Sequence, residues 1–356
     1  MKRRDFIKAA GAGGLLAAGA GQAQAARGRH RWKMVTTWPK NFPGLGTGAE
    51  KLARLITNLS GGRIRVQVFG AGELVPAFEV FDAVSRGTAE MGHGAAYYWK
   101  GKNPAFQFFS TVPFGLTAQE MNGWLFHGGG LKLWREAYAD FGLVPFPAGN
   151  TGVQMAGWFN KEINSLEDLK GLKMRIPGLG GEVLQRAGGT PVNLPGGELF
   201  TALKSGAIDA TEWVGPYNDL AFGLYKAAKY YYYPGWHEPG TTLECIVNKK
   251  AFDALTPDLK AIVAIACQAV NEDMLAEYAT RNGEALESLV NEHRVQLRRL
   301  PDGVLERLER LSETVVAELA ERDAFARRVF DSYRGFRGRA TRWTALSEAA
   351  YLQARG

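Results

Sequence analysis

The feature that most constrains this chain is the alternation of short β-branched strands with amphipathic helices, which runs from Arg31 to about Asp209. "RWKMVTTWP" alternates like a strand and is stopped by Pro39, and "GAEKLARLITNLSGG" then sets Leu52, Leu55, Ile56 and Leu59 at helical spacing with Gly61 as a stop. "RIRVQVFG" alternates strictly and reads as a second strand. Strand, helix and strand in this order predict α/β domains with mostly parallel sheets, in which ligands bind beyond the carboxyl ends of the strands.

Two segments echo each other. "FDAVSRGTAEMGHG" (Phe81 to Gly94) and "FTALKSGAIDATEW" (Phe200 to Trp213) share a Phe, a following Ala, an aliphatic residue, a Gly stop and a strand, and each follows a "GEL". Any helix stopped by Gly before a strand gives a similar pattern, so coincidence and a true repeat both stay open. A true repeat would put His93 to Tyr98 and Glu212 to Gly215 at related strand ends facing one cleft.

From about Thr256 the chain turns helical: "LKAIVAIACQAVNEDMLAEYATRNGEALESLV" has almost no breakers, and a strand-like "RVQLRRL" follows. Beyond Pro301, Leu305, Leu308 and Leu311 keep one helix face apolar. The arginines there alternate with Glu306, Glu309, Glu313, Glu318 and Glu321, which reads as a solvated face and not as a nucleic-acid patch.

The first 25 residues open with Arg3 and Arg4, continue through a weakly apolar Ala/Gly run and end in Ala23, Gln24, Ala25. That order is an export signal of the twin-arginine (Tat) type, and it predicts a periplasmic product. The formal net charge of the full chain is +7; Lys2, Arg3, Arg4 and Lys8 less Asp5 account for +3, which leaves the mature part near +4. A mild excess of this size suits small anions better than polyanions. Cys245 and Cys267 can pair in an oxidising compartment, but Cys267 sits in a helical run where a buried free thiol is the commoner case.

Enzyme signatures are missing: there is no G-x-S-x-G, H-E-x-x-H, C-x-x-C, P-loop or complete G-x-G-x-x-G, and the five histidines show no metal spacing. What remains is a set of polar groups among Gly, Pro and aromatics. Asn150 and Gln154 lie on the otherwise apolar strand "AGNTGVQMAGWF", Arg175 on a strand that breaks at Pro177 and Gly178, and Glu212 before the turn at Gly215 and Pro216. Such groups either satisfy one another or share a ligand. An arginine fork suits a carboxylate. An acid beside an anionic ligand needs a cation between them, and hard oxygen donors favour Ca²⁺ or Na⁺.

Together "FGAGELVP", "VPFGL", "HGGG", "PAGNTGVQMAGWF", "LKGLKMRIPGLGG", "GAIDATEWVGPYND" and "YYYYPGWHEPG" resemble the solute-binding proteins of tripartite ATP-independent periplasmic (TRAP) transporters, in the branch that binds 2-oxo acids or lactate with a metal ion. The resemblance covers nearly the whole mature chain. It implies an α/β, two-lobed periplasmic solute-binding fold with the ligand cleft between the domains and a long C-terminal helical segment. The implied division is residues 1–25 as signal, 26–149 with about 241–300 as lobe I, 150–240 as lobe II, and 301–356 as a helical segment that can join two copies in a homodimer. By the same resemblance Arg175 grips the carboxylate, Asn150 and Tyr97 or Tyr98 help hold the ligand, and Gln154, Glu212, the Trp213 main chain and Glu238 hold Na⁺ or Ca²⁺. The implied function is capture of a small 2-oxo or 2-hydroxy monocarboxylate (pyruvate, 2-oxobutyrate or lactate-like) for delivery to TRAP membrane subunits. A periplasmic metal-dependent enzyme with His93 or His237 as base, or a ligand-presenting sensor partner, would use the same cleft. Loss of the Arg175 side chain is expected to cost affinity without disturbing the core.

Overall fold

The computed structural model describes residues 29–356, so the signal read at residues 1–25 lies outside the described residues. The chain builds β1 (His30–Thr36), α1 (Leu45–Leu59), β2 (Ile64–Phe69), α2 (Val80–Ser85) and β3 (Met91–Gly94), followed by α3 (Ala118–Phe126), α4 (Gly130–Ala139) and β4 (Leu143–Asn150). It continues with β5 (Gly157–Phe159), β6 (Lys173–Arg175), α5 (Gly178–Arg186), β7 (Thr190–Val192), α6 (Leu199–Ser205), β8 (Ala210–Thr211), α7 (Pro216–Phe222) and β9 (Tyr230–Tyr233). The last third holds β10 (Thr242–Asn248), α8 (Lys249–Asp253), α9 (Pro257–Asn291), β11 (Gln296–Arg299), α10 (Asp302–Ala320), α11 (Ala324–Leu346) and α12 (Glu348–Arg355).

Two sheets form, in the orders β2-β1-β3-β10-β4 and β11-β9-β5-β8-β6-β7. β1 pairs with β2 and β3 in parallel, and β6 pairs with β7 and β8 in parallel. The sequence echo is therefore structural: each segment is the second helix and third strand of a βαβαβ unit whose first strand lies in the middle. Gly87 (φ 80°) and Gly206 (φ 75°) end the two helices in the left-handed region that glycine enters without strain.

Two side-by-side crossovers, residues 151–156 and 234–241, carry the chain from the first sheet to the second and back, and α8 and α9 then lead it to β11 of the second sheet. The Thr151 N–H donates to the Thr241 carbonyl at 3.1 Å and the Gln154 N–H to the Glu238 carbonyl at 3.1 Å. A Cβ on Gly235 would stand 2.0 Å from the Gln154 carbonyl oxygen, so only glycine allows this approach. The segment read as one strand around Asn150 and Gln154 is thus interrupted. The Asn150 Oδ1 accepts the Gly152 N–H at 2.8 Å and Gly152 turns to φ 69°, which ends β4 and leaves Gln154 in the crossover.

Strand β11 pairs with β9 of the second sheet, so residues 296–299 lie with the second sheet and not with the lobe that a boundary at about residue 300 assigns them to. The helix α9 lies along β4 and α1 and also reaches α7, where the Tyr278 hydroxyl donates to the Asn218 Oδ1 at 2.7 Å. The apolar face expected beyond Pro301 is present: Val304, Leu308, Val315 and Leu319 are buried. α10 packs on α5 of the second lobe, whereas α11 packs on α3 and α4 of the first. Cys245 and Cys267 are buried free thiols. No helix among the described residues is long and apolar enough to cross a membrane.

Candidate functional site

The strand ends of both sheets and the two crossovers converge on one point. Trp38 follows β1, Tyr97 and Tyr98 follow β3, Arg175 ends β6, and Glu212 and Trp213 follow β8. Thr151 and Gln154 come from one crossover and His237, Glu238 and Thr241 from the other. A cavity of about 10 Å³ lies between them, lined by Trp38, Tyr97, Tyr98, Gln154, Trp213 and Thr241 among others.

Arg175 is buried and ion-paired through Nη1 to the Glu212 Oε1. Its Nε donates to the Leu194 carbonyl at 3.1 Å, its Nη2 to the Tyr98 hydroxyl at 3.3 Å, and its guanidinium carbon lies 5.0 Å from the Trp213 ring centroid. Burial alone would lower its pKa, but Glu212 and the two tyrosines outweigh burial and hold it above the ordinary arginine value. The guanidinium is charged at every working pH. The Trp213 indole covers it, and its edge faces the Trp38 ring at 6.1 Å.

Glu212 turns its second oxygen toward the His237 Nε2 at 3.4 Å. The Gln154 Nε2 donates to the Glu238 Oε2 at 2.8 Å and the Thr241 hydroxyl donates to the same oxygen at 2.6 Å. Burial, reinforced by the negative charge of Glu212, pushes the Glu238 carboxyl up to about 7. Three residues, Glu212, His237 and Glu238, bring ligand atoms within 4.8 Å of one another. The Glu212 Oε2, the Gln154 Oε1 and both His237 ring nitrogens are buried without a hydrogen-bond partner. An unpaired buried donor or acceptor is destabilising by about 1–3 kcal/mol, so the Glu212 and Gln154 oxygens, with the His237 Nε2 beside Glu212, call for a shared partner. With both glutamates ionised, two negative groups against one guanidinium leave a charge of −1, which suits a cation. Two carboxylates and an amide oxygen fit a hard ion of the sodium or calcium type, with the imidazole as a softer extra donor.

Of the residues singled out from the sequence, Arg175, Glu212, Trp213, Gln154, Glu238, Tyr97 and Tyr98 come together here. Tyr98 is the ring whose hydroxyl meets Arg175, and Tyr97 stacks edge-on against it at 4.8 Å. Asn150 is buried beside the site with its amide committed to the crossover, donating to the Gly240 carbonyl at 3.3 Å and to the Thr242 hydroxyl at 3.4 Å. His93 sits apart, accepting from the Trp38 Nε1 at 2.8 Å and contacting the Ala148 carbonyl at 3.1 Å. Burial lowers its pKa to about 4, which keeps it a neutral support for the Trp38 wall.

Residues 34–323 match the family described as bacterial extracellular solute-binding protein, family 7. The chain belongs to that family. It is 44% identical to the monocarboxylate 2-oxoacid-binding periplasmic protein of Nostoc sp. over 358 aligned residues, covering 99% of this chain and 98% of the relative. It also resembles two solved TRAP periplasmic solute-binding proteins. One, from Pseudoalteromonas atlantica, carries bound sodium and pyruvate (43% identity, TM-score 0.89, 91% of this chain and 99% of that one). The other, from Colwellia psychrerythraea, carries bound calcium and pyruvate (44% identity, TM-score 0.89, 92% and 99%). As in other family 7 solute-binding proteins, the fold is two-lobed. Sequence reasoning did not place three members of this cluster: His237 beside Glu212, Thr241 and Thr151. The run "GWHEPGT" holds two of them, but their aim depends on how the two crossovers pair, which no local pattern encodes.

Proposed function

We propose that this extracellular solute-binding protein captures a small 2-oxo or 2-hydroxy monocarboxylate together with Na⁺ or Ca²⁺ and hands it to TRAP membrane subunits. The observation that carries the proposal is the buried Arg175–Glu212 pair set against the unpartnered oxygens of Gln154 and Glu212. Arg175 offers a planar fork to a carboxylate, and Tyr98 adds a hydroxyl on the same side. Gln154, Glu212, Glu238 and the Trp213 main chain form the cation-holding side, with His237 completing it. A bound cation supplies the positive charge that lets the 2-oxo oxygen of an anion sit beside Glu212. Two-point recognition of this kind discriminates against plain fatty acids, which lack the second oxygen. Residues 29–149 with β10 and α9 act as one lobe and 150–240 as the other, closing on the ligand by a population shift. Family membership favours capture over turnover.

The test is calorimetry with pyruvate, lactate and butyrate, with and without Ca²⁺ or Na⁺. Pyruvate and lactate are expected to bind, with butyrate at least about a hundredfold weaker because the site's buried polar groups would be left unpaired. Glu212→Gln should flatten the dependence of pyruvate affinity on added Ca²⁺. Equal affinity for pyruvate and butyrate would overturn the reading.

Two further elements belong to it. Residues 1–25 direct Tat export, which cleavage near Ala26 in a Tat-competent host and its loss on Arg3→Lys/Arg4→Lys would check. The C-terminal segment joins two copies: Trp343, Leu346, Tyr351 and Leu352 are exposed at 70%, 80%, 64% and 51%. Light scattering of the full chain and of one ending at Ala340 reads this directly, with a dimer-to-monomer change expected.

A further inference from the structure

The second crossover, residues 234–241, carries His237 and Glu238, and its place is set by what lies behind it. That backing is the segment 112–117, which leads into α3. At one end the Phe114 N–H donates to the Trp236 carbonyl at 2.8 Å, and the two ring centroids lie 5.9 Å apart. At the other end Gly240 rests on the same segment: a Cβ there would stand 2.5 Å from the Thr117 carbonyl carbon and 2.4 Å from the Ala118 nitrogen. His237 and Glu238 sit between these two points of support.

The segment is held in turn by α11. Tyr333 and Arg337 are four residues apart, so they share one face of that helix, and they reach the segment at two places. The Arg337 Nη2 donates to the Phe114 carbonyl at 2.9 Å, and the Tyr333 hydroxyl accepts the Leu116 N–H at 2.9 Å. Phe114 needs such ties. Its φ is 53°, in the left-handed region that a bulky side chain enters only where its surroundings impose it. Its N–H faces the crossover and its carbonyl faces Arg337. Val112, Pro113 and Phe114 also border a cavity of about 250 Å³, so packing does not close around them on that side. Without the Arg337 donor the Phe114 backbone is free to relax, and the N–H that positions Trp236 turns with it.

We infer that Arg337 and Tyr333 are positioning residues for the cation side of the capture site. Through Phe114 and Leu116 they fix where the second crossover places His237 and Glu238, so α11 sets cation affinity from outside the cleft. The inference rests on the cation reading above.

Two measurements on the mature chain test it. Hydrogen exchange without ligand or cation reads the crossover directly, and the Ca²⁺ concentration at half-maximal pyruvate binding, from calorimetry, reads the site. Arg337→Met keeps the apolar stem and removes the donor. It is expected to speed exchange in residues 234–241 about fivefold or more and to raise the Ca²⁺ midpoint about fivefold or more. Tyr333→Phe should act in the same direction, and Arg337→Lys, which restores a donor, should reverse most of both changes. Arg334→Met is the control on the same helix: Arg334 pairs with Asp331 at 3.1 Å, and its loss should leave both readings within about twofold. Unchanged crossover exchange in both Arg337→Met and Tyr333→Phe, faster exchange with an unmoved Ca²⁺ midpoint, or an equal effect of Arg334→Met would each overturn the positioning role alone. Pyruvate affinity indifferent to Ca²⁺ and Na⁺ in the unaltered chain would remove the cation reading and the positioning role with it.

Discussion

At the scale of single residues, the Arg175–Glu212 pair does two jobs. Both side chains are fully enclosed, at 1% relative exposure each, so removing either leaves an uncompensated buried charge. Such a loss destabilises by about 3–5 kcal/mol. Arg175→Met should therefore lower ligand-free stability by about that amount as well as remove most affinity. This replaces the expectation that a cleft arginine stands apart from the core. The double variant Arg175→Met/Glu212→Gln should recover at least half of the loss in urea unfolding, because the orphaned charge goes with its partner. No recovery would mean that packing of the guanidinium, and not its charge, supports the fold. Arg175 and Glu212 were legible in the sequence because each sits where an apolar strand meets a Gly/Pro break. His237 was legible only as a candidate base; its place beside Glu212 was not, since its neighbours on either side, Trp236 and Glu238, give no periodicity and only the pairing of two crossovers aims it.

At the scale of elements, β10 shows how a buried acid is tolerated away from the site. The Glu244 Oε1 accepts from the Trp99 Nε1 at 2.5 Å and its Oε2 from the Tyr138 hydroxyl at 2.8 Å. Burial nevertheless pushes its carboxyl from 4.5 up to about 7. A folded pKa above the unfolded one means that the native state binds the proton more tightly. Stability is then greatest below the ordinary carboxylate range and falls as pH rises toward and through about 7. Asp219 is raised to about 7 by burial in the same way, so the slope is shared. Glu244→Gln should leave a shallower fall in Tm between about pH 5 and about pH 8, and an unchanged slope would mean that Glu244 ionises freely in the fold. The α/β alternation was legible because period and breaker residues encode it locally. The end of β4 at Asn150 was not, because a side-chain amide capping its own backbone two residues on leaves the apolar run looking continuous.

At the scale of the whole molecule, Glu182 on α5 draws the lobes together. It receives Lys100 and the Gln107 Nε2 from the first lobe, at 3.3 and 3.4 Å, and lies 3.7 Å from Arg322 between the C-terminal helices. These contacts need the lobes in their present arrangement, so Glu182→Gln biases the molecule toward opening. Partly exposed pairs are worth up to about 1 kcal/mol, which predicts pyruvate affinity lower by no more than about fivefold. Small-angle scattering should show a larger radius of gyration at subsaturating ligand; an unchanged radius and affinity would show that Glu182 does not bias closure.

The two βαβαβ units share one topology yet bring different chemistry to the cleft: the second supplies the charged groups Arg175 and Glu212 with Trp213 covering the guanidinium, and the first supplies the rings of Trp38, Tyr97 and Tyr98. Long-range charge acts on a ligand still in solution, whereas aromatic walls act only after contact. The repeat therefore divides the time course of binding between its halves. In stopped-flow tryptophan fluorescence, Arg175→Met, which removes the charge, should fall mainly on the association rate and Tyr98→Ala mainly on the dissociation rate. A duplicated scaffold would then hold a catching half and a keeping half.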